Sequence, residues 1–135
     1  MALITLSHRH LVGIGTIDDG HAAIVGMLND LHAAMLKGRA EEVVGVILGR
    51  LLDYAHRYLP IEESLLQASG YPQLARHCAR HGELTSGIEE YVQRHKRCDK
   101  DAIVHLARFL RDWISIHVRQ EDKESGWWLQ KHAGR

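Results

Sequence analysis

The sequence predicts an all-α protein, an up-down-up-down four-helix bundle with an N-terminal arm. Three observations carry this expectation. Apolar residues recur at three- and four-residue spacing in four long segments, the period of an amphipathic helix. Short junctions containing glycine, proline or aspartate separate the segments, which makes successive helices antiparallel neighbours. No convincing strand, low-complexity tract or glycine-rich phosphate loop interrupts the pattern.

At 135 residues the chain reads as a single domain, 1–135, with one sizeable core. Acids and bases balance at 17 each, so net charge points to neither nucleic acid nor an anionic membrane. No apolar run approaches the roughly 18 residues of a membrane span, and no basic, then apolar, secretion signal opens the chain. By default, a cytoplasmic protein is expected. Cys78 and Cys98 form neither a metal-type pair nor a disulfide framework and read as reduced thiols. The unusual count is 11 histidines, because imidazole titrates near neutrality and is the commonest metal ligand.

Residues 1–17 form the arm, where Gly13 and Gly15 argue against a regular helix. Helix one, roughly 18–37, takes its N-cap chemistry from Asp18 and Asp19 and carries His21, Ile24, Leu28, Leu31 and Met35 on one stripe. His21 is open to two readings, a capping-region residue near the surface or an inward ligand. Helix two, roughly 41–69, begins with Glu41 and Glu42 and buries Val44, Ile47, Leu48, Leu51, Leu52, Ala55 and Leu59. Tyr58 and Glu62, four apart, look inward together, and a buried carboxylate needs a partner. Pro60 lies between them and predicts a kink. Gly45 and Gly49 would permit close helix contact.

Gly70 and Pro72 make a reversal into helix three, roughly 72–95. His77 and His81 share its face with Leu84, Ile88 and Val92, a spacing that holds a metal from one side and that also arises by accident. Helix four, roughly 100–124, starts at Asp99 and Asp101 and buries Ile103, Leu106, Leu110, Trp113, Ile114, His117 and Val118. His117 and Asp122 are five apart, about 140° around an α-helix, so they share no stripe but approach a centre from adjacent sides. Trp127-Trp128, after Gly126, reads as packing at the bundle end, with exposure to a partner as the other possibility. Every helix thus offers metal ligands: His21; Tyr58 and Glu62; His77 and His81; His117 and Asp122. Imidazole with carboxylate suits iron, manganese or zinc, and two carboxylates suit a bridged pair of ions.

The order and spacing of Val12-Gly13-Ile14, Ile17-Asp18, His21, Asn29, Leu31, Tyr54, Leu59, Glu62-Glu63, Tyr71-Pro72, His77, His81, Phe109-Leu110, Trp113, His117 and Asp122 resemble the bacterial hemerythrins over nearly the whole chain. The resemblance implies two non-heme irons with a bridging oxo or hydroxo group inside the bundle, the reduced pair binding dioxygen reversibly at the peroxide level. It implies that His77, His81 and His117 hold one iron, that Glu62 and Asp122 bridge, and that His21 holds the second. The family's further histidine, on the iron open to oxygen, stands four residues before the bridging glutamate. Here that residue is Tyr58, followed by Leu59 in place of the usual phenylalanine. His56 lies on roughly the opposite face and is not expected to replace it unless Pro60 rotates the helix strongly. Gly20, Leu6 and Ser125 depart from the glutamine, aromatic and tyrosine usual nearby.

A ferric ion drives a phenol to ionise, because metal binding and ligand deprotonation are coupled. A ligating Tyr58 would favour ferric iron and speed autoxidation; a non-ligating one would leave the second iron short of a ligand. Ile24, Leu28, Leu59, Trp113, Ile114 and Val118 are expected on the oxygen side, where they equally serve as bundle core. The leading expectation is a dioxygen-binding protein for storage, delivery or sensing, a binding protein rather than an enzyme. The alternatives are a di-iron redox enzyme acting on peroxide or nitric oxide, and a helical interaction module with a degenerate site. No nucleophilic triad or catalytic residue is identified.

Overall fold

The structure is a computed structural model that describes residues 10–132; most of the expected arm, Leu6 included, lies outside the described residues. The chain forms a four-helix bundle. Its elements are α1 (Gly15–Leu36), α2 (Ala40–Ala68), α3 (Leu74–Lys96), α4 (Ala102–Trp113), a π-helical segment (Ile114–Glu121) and α5 (Asp122–His132). The last three follow without a break and make the fourth rod. Each rod packs on its sequence neighbour, and α4 also closes against α1. Among the described residues, no helix is long and apolar enough to cross a membrane.

The ends follow local chemistry. Gly70 adopts φ +73°, and Tyr71 N–H reaches back to Leu66 C=O at 3.0 Å, which closes the last turn of α2 in a left-handed cap. Cys98 takes the same left-handed conformation, φ +58°, with Asp99 N–H donating to Arg94 C=O at 3.0 Å. Sequence reading places no such residue there, because cysteine gains nothing from positive φ.

Several boundaries differ from expectation. α1 begins at Gly15, and Asp18 does not cap it: its carboxylate accepts from Val12 N–H at 2.6 Å and Gly13 N–H at 3.1 Å, and so fastens the arm. Pro60, where a kink is expected, lies inside the continuous helix α2. α3 begins two residues after Pro72, at Leu74. The fourth rod does not stop near residue 124 but runs through Gly126 to His132, because Gly126 is chosen for space: a Cβ there would lie 2.3 Å from Val12 Cβ. Gly45 and Gly49 make no close helix pair, since nothing lies within 4 Å of a Cβ at Gly49.

The apolar core has two parts. The larger contains Ile24, Leu28, Leu31, Leu51, Leu84, Ile88, Leu106, Leu110, Ile114 and Val118. The smaller, of Val12, Ile17, Leu66, Tyr71 and Leu129, closes one end. The paired tryptophans divide: Trp128 packs on Tyr71 and donates its indole N–H to Ser69 Oγ at 3.0 Å, whereas Trp127 is 60% exposed beneath Lys131. Along each rod a polar layer separates the two cores, His21 between Ile17 and Ile24, Glu62 between Leu59 and Leu66, Asp122 between Val118 and Leu129.

Gly126→Ala should gain about 0.5–1 kcal/mol of helix propensity and lose about 1–3 kcal/mol to overpacking against Val12. Net destabilisation in thermal or denaturant unfolding is expected; an unchanged midpoint would mean that the arm yields freely.

Candidate metal centre

The polar layer gathers side chains that an apolar bundle excludes unless they answer one another. Glu62, His77, His81, His117 and Asp122, all buried, each direct one nitrogen or oxygen into a group whose atoms lie within 4.8 Å of one another. His77 and His81 come from adjacent turns of α3, Glu62 from α2, and His117 and Asp122 from the fourth rod. The expectation that His117 and Asp122 share no stripe fails for a definite reason. His117 lies inside the π-helical segment and Asp122 directly follows it, and Asp122 N–H donates to His117 C=O, so residues five apart stand above one another. His117 Nε2 then faces Asp122 Oδ1 at 3.0 Å.

This geometry asks for a cation. His117 Nδ1–H donates to Glu121 Oε1 at 3.0 Å, so in the neutral ring Nε2 presents a lone pair toward Asp122 Oδ1. Those two atoms, and both nitrogens of His81, are buried without a hydrogen-bond partner. His81 Nε2 nevertheless lies 3.1 Å from Glu62 Oε1, and His77 Nε2 lies 3.1 Å from Asp122 Oδ1 while contacting Glu62 Oε1 more closely still. Donor atoms that crowd this closely, several of them without a hydrogen-bond partner, fit a metal ion at their focus.

His21 settles on the inward side of its two readings. Its Nδ1–H donates to the His10 carbonyl at 2.7 Å, and its Nε2 meets Asp122 Oδ2 at 2.8 Å, the carboxylate oxygen that faces away from His117. Asp122 therefore presents one oxygen to each of two imidazole groups. Tyr58, one turn before Glu62, is half-buried. Its ring packs on Gly20, where a Cβ would lie 3.0 Å from Tyr58 Cδ1, and stands 5.8 Å from Tyr54. It borders a cleft of about 430 Å³ between α1 and α2 with Ala23, Met27 and Arg57, and its hydroxyl hydrogen-bonds no member of the cluster. His56 is exposed. Ile24, Leu28, Leu59, Ile114 and Val118 are buried in the larger core, and Trp113 stacks on His117 with ring centroids 4.1 Å apart.

Electrostatics agree with the geometry. Burial opposes charge on His77, but hydrogen bonds and attraction from Asp122 and Glu62 outweigh it and push its pKa to about 10. Burial is again the largest single effect on His21 and opposes its charge, but the hydrogen bond and charge of Asp122, with Glu62 and the His10 carbonyl, together raise its pKa. Burial alone would raise Asp122; His117, His21 and His77 hold it well below the usual carboxylate range. Burial raises the Cys78 thiol, together with Glu63, to about 11, which keeps it protonated. Without metal, protons on His77 and His21 offset the carboxylate charge.

Three supporting groups escape motif reading. Glu121 orients His117 and is itself held by Arg80 Nε at 3.2 Å; the His10 carbonyl orients His21; Ser125 Oγ, at the departure from tyrosine, bonds Asp122 C=O at 3.2 Å. Glu121 has a signal of its own, an acid four residues after a candidate ligand on the same rod. The His10 carbonyl has none, since backbone acceptors leave no trace in composition.

Two outcomes are expected. Because His77 is protonated at pH 7 and a ligand must be deprotonated, adding ferrous or zinc ion to metal-free protein in weak buffer should release at least one proton per chain. The His77 contribution to metal-free stability is full below the unfolded pKa of about 6.5 and is lost as pH rises toward about 10. A pH-indicator titration with no acidification contradicts this. Glu121→Ala should weaken metal binding by about 10–100-fold through loss of His117 orientation, measured by competition with a chelator.

Comparison with known proteins agrees with this layout. Residues 12–125 match the hemerythrin HHE cation binding domain. The bacteriohemerythrin of Methylococcus capsulatus is 31% identical over 127 residues, covering 93% of this chain and 96% of the relative, and that of Stenotrophomonas maltophilia is 31% identical over 91% of this chain and 79% of the relative. The crystal structure of a leucine-to-tyrosine hemerythrin mutant superposes with a TM-score of 0.83 at 30% identity, covering 96% of this chain and 98% of the other. Together with the convergent ligand atoms on the bundle's inner faces, these similarities show that the chain belongs to the hemerythrin HHE cation-binding family.

Proposed function

We propose that the chain is a non-heme di-iron protein that binds dioxygen, or a related small diatomic or peroxide, with Tyr58 beside the iron left open. The observation that carries this is the pair of imidazole groups on opposite oxygens of Asp122: His117 and His77 at Oδ1, His21 at Oδ2. In this reading His77, His81 and His117 hold one iron, His21 the other, and Glu62 and Asp122 bridge. Iron bound there would supply a redox-active Lewis acid that takes up dioxygen in its reduced state.

The chain's own residues set the conditions. Glu121 keeps a proton on His117 Nδ1 and the His10 carbonyl keeps one on His21 Nδ1, leaving each Nε2 to the metal. Ile24, Leu28, Leu59, Ile114 and Val118 exclude water from the inner side. The thiols of Cys78 and Cys98 are free, which supports a cytoplasmic, reducing setting.

Tyr58 favours a second reading, a redox catalyst acting on peroxide or nitric oxide. A phenolate is a hard anionic ligand that stabilises ferric iron, and Gly20 leaves the space that the ring occupies beside His21. Steady turnover of either substrate supports that reading; stoichiometric binding alone supports the first.

Iron analysis and optical spectra of anaerobic, reduced and air-exposed protein test the proposal. Two irons per chain and a reversible spectral change with oxygen are expected, with a tyrosinate charge-transfer band in the oxidised form. Tyr58→His should remove that band and slow autoxidation. Identical spectra in the two proteins place Tyr58 outside the reach of the metal, and at most one iron per chain defeats the di-iron reading.

A further inference from the structure

Two of the metal-directed imidazoles have their outer side fixed. His117 Nδ1–H donates to Glu121 and His21 Nδ1–H to the His10 carbonyl, so each ring turns Nε2 inward. His81 lacks such a bond, and both of its nitrogens are buried without a hydrogen-bond partner. Its ring stands instead between two consecutive acids of α2. Nε2 lies 3.1 Å from Glu62 Oε1, and Nδ1 lies 3.5 Å from Glu63 Oε1.

The helices put Glu63 there. Successive residues point about 100° apart on a helix, so two neighbouring acids cannot both enter the polar layer. Glu62 enters it, with a side chain 6% exposed, and Glu63 stops at its edge, 31% exposed. Cys78 precedes His81 by three residues on α3, which places both on one side of that helix. The Cys78 thiol hydrogen-bonds to Glu63, so a second contact draws this carboxylate toward α3. An imidazole ligand offers the lone pair of one nitrogen and keeps its proton on the other. On His81 a proton at Nε2 would face Glu62 and block the ligand, whereas a proton at Nδ1 faces Glu63 and frees Nε2.

We propose that Glu63, tethered by the Cys78 thiol, is the positioning residue for His81: on metal binding it accepts from Nδ1–H and so turns the Nε2 lone pair to the cation. Glu121 does this for His117 within one rod; Glu63 does it across the α2–α3 interface. A bond between an N–H and a carboxylate is charge-assisted and directional, which suits an acid at the edge of a dry layer. The role of Glu63 rests on the reading of His81 as a metal ligand. It requires one cation at the His81 end of the centre and not the pair of irons.

The test uses zinc alone, titrated against a chelator into metal-free native protein, Glu63→Ala, Glu63→Gln and Cys78→Ala, with the ring nitrogens followed by NMR of isotope-labelled histidine. Glu63→Ala should weaken zinc binding by about 10–100-fold, the usual loss for an outer partner of a metal-bound histidine, with helical content unchanged. Glu63→Gln keeps an acceptor oxygen without the charge and should recover part of that loss. Cys78→Ala should cost about two- to tenfold, the worth of one neutral hydrogen bond. In zinc-loaded native protein the His81 Nδ1 proton, assigned by its loss in His81→Gln, should exchange slowly with solvent, and it should exchange faster in Glu63→Ala. A merely structural acid would change the melting of metal-free protein and leave that proton as it is. Zinc affinity of Glu63→Ala indistinguishable from native, or an unaltered Nδ1 proton, overturns the positioning role and leaves the di-iron reading standing. The expected Glu63 dependence in a protein that holds at most one iron defeats the di-iron reading and keeps the role of Glu63. Native His81 nitrogens that do not respond to zinc overturn both the ligand role of His81 and the positioning role of Glu63.

Discussion

Two carboxylates buried in a helical bundle are the constraint on which this structure depends. Glu62 is 4% exposed and Asp122 2% exposed, and taking such groups out of water costs several kcal/mol each unless opposite charge meets them. The chain meets them with four imidazoles, His21, His77, His81 and His117, drawn from three rods. Neutral imidazoles do not neutralise two acids, so the arrangement requires either added protons or a cation. The raised His77 and the unpartnered nitrogens of His81 and His117 express one unmet requirement in two ways.

Much of the nearby architecture serves to aim these rings. The π-helical segment brings His117 and Asp122 over one another, at the expense of ordinary i→i−4 bonding across eight residues. The arm is tied down by Asp18, by Lys123 to Leu11 C=O at 2.7 Å and by Gln130 to Val12 C=O, and the same stretch supplies the His10 carbonyl that orients His21. Gly126 admits Val12 against the fourth rod. An arm that looks like a peripheral extension is therefore part of the support for a ligand. The two apolar cores on either side keep the polar layer dry, which strengthens every charge interaction within it.

Tyr58 and Gly20 show how a departure from the family pattern is absorbed. Separately they read as two unrelated exceptions, an aromatic where histidine is usual and a glycine where glutamine is usual. In the fold they touch across the α1–α2 interface, with the tyrosine ring resting on the space that any side chain at residue 20 would occupy. The larger ring and the absent side chain are one adjustment, made beside His21.

Helical period determined the four rods, because burying one stripe per helix leaves a mark every three or four residues that no tertiary detail can erase. It also determined which acids and histidines look inward, since Glu62, His77, His81 and His117 lie on those stripes. The sequence by itself did not determine the choice between two roles for His21, the common face of His117 and Asp122, the continuation through Gly126 or the contact of Tyr58 with Gly20. Those were decided by tertiary structure, for one physical reason. Each depends on atoms distant in sequence or on a local change of helical register, and pattern reading at a fixed 3.6-residue period carries information about neither.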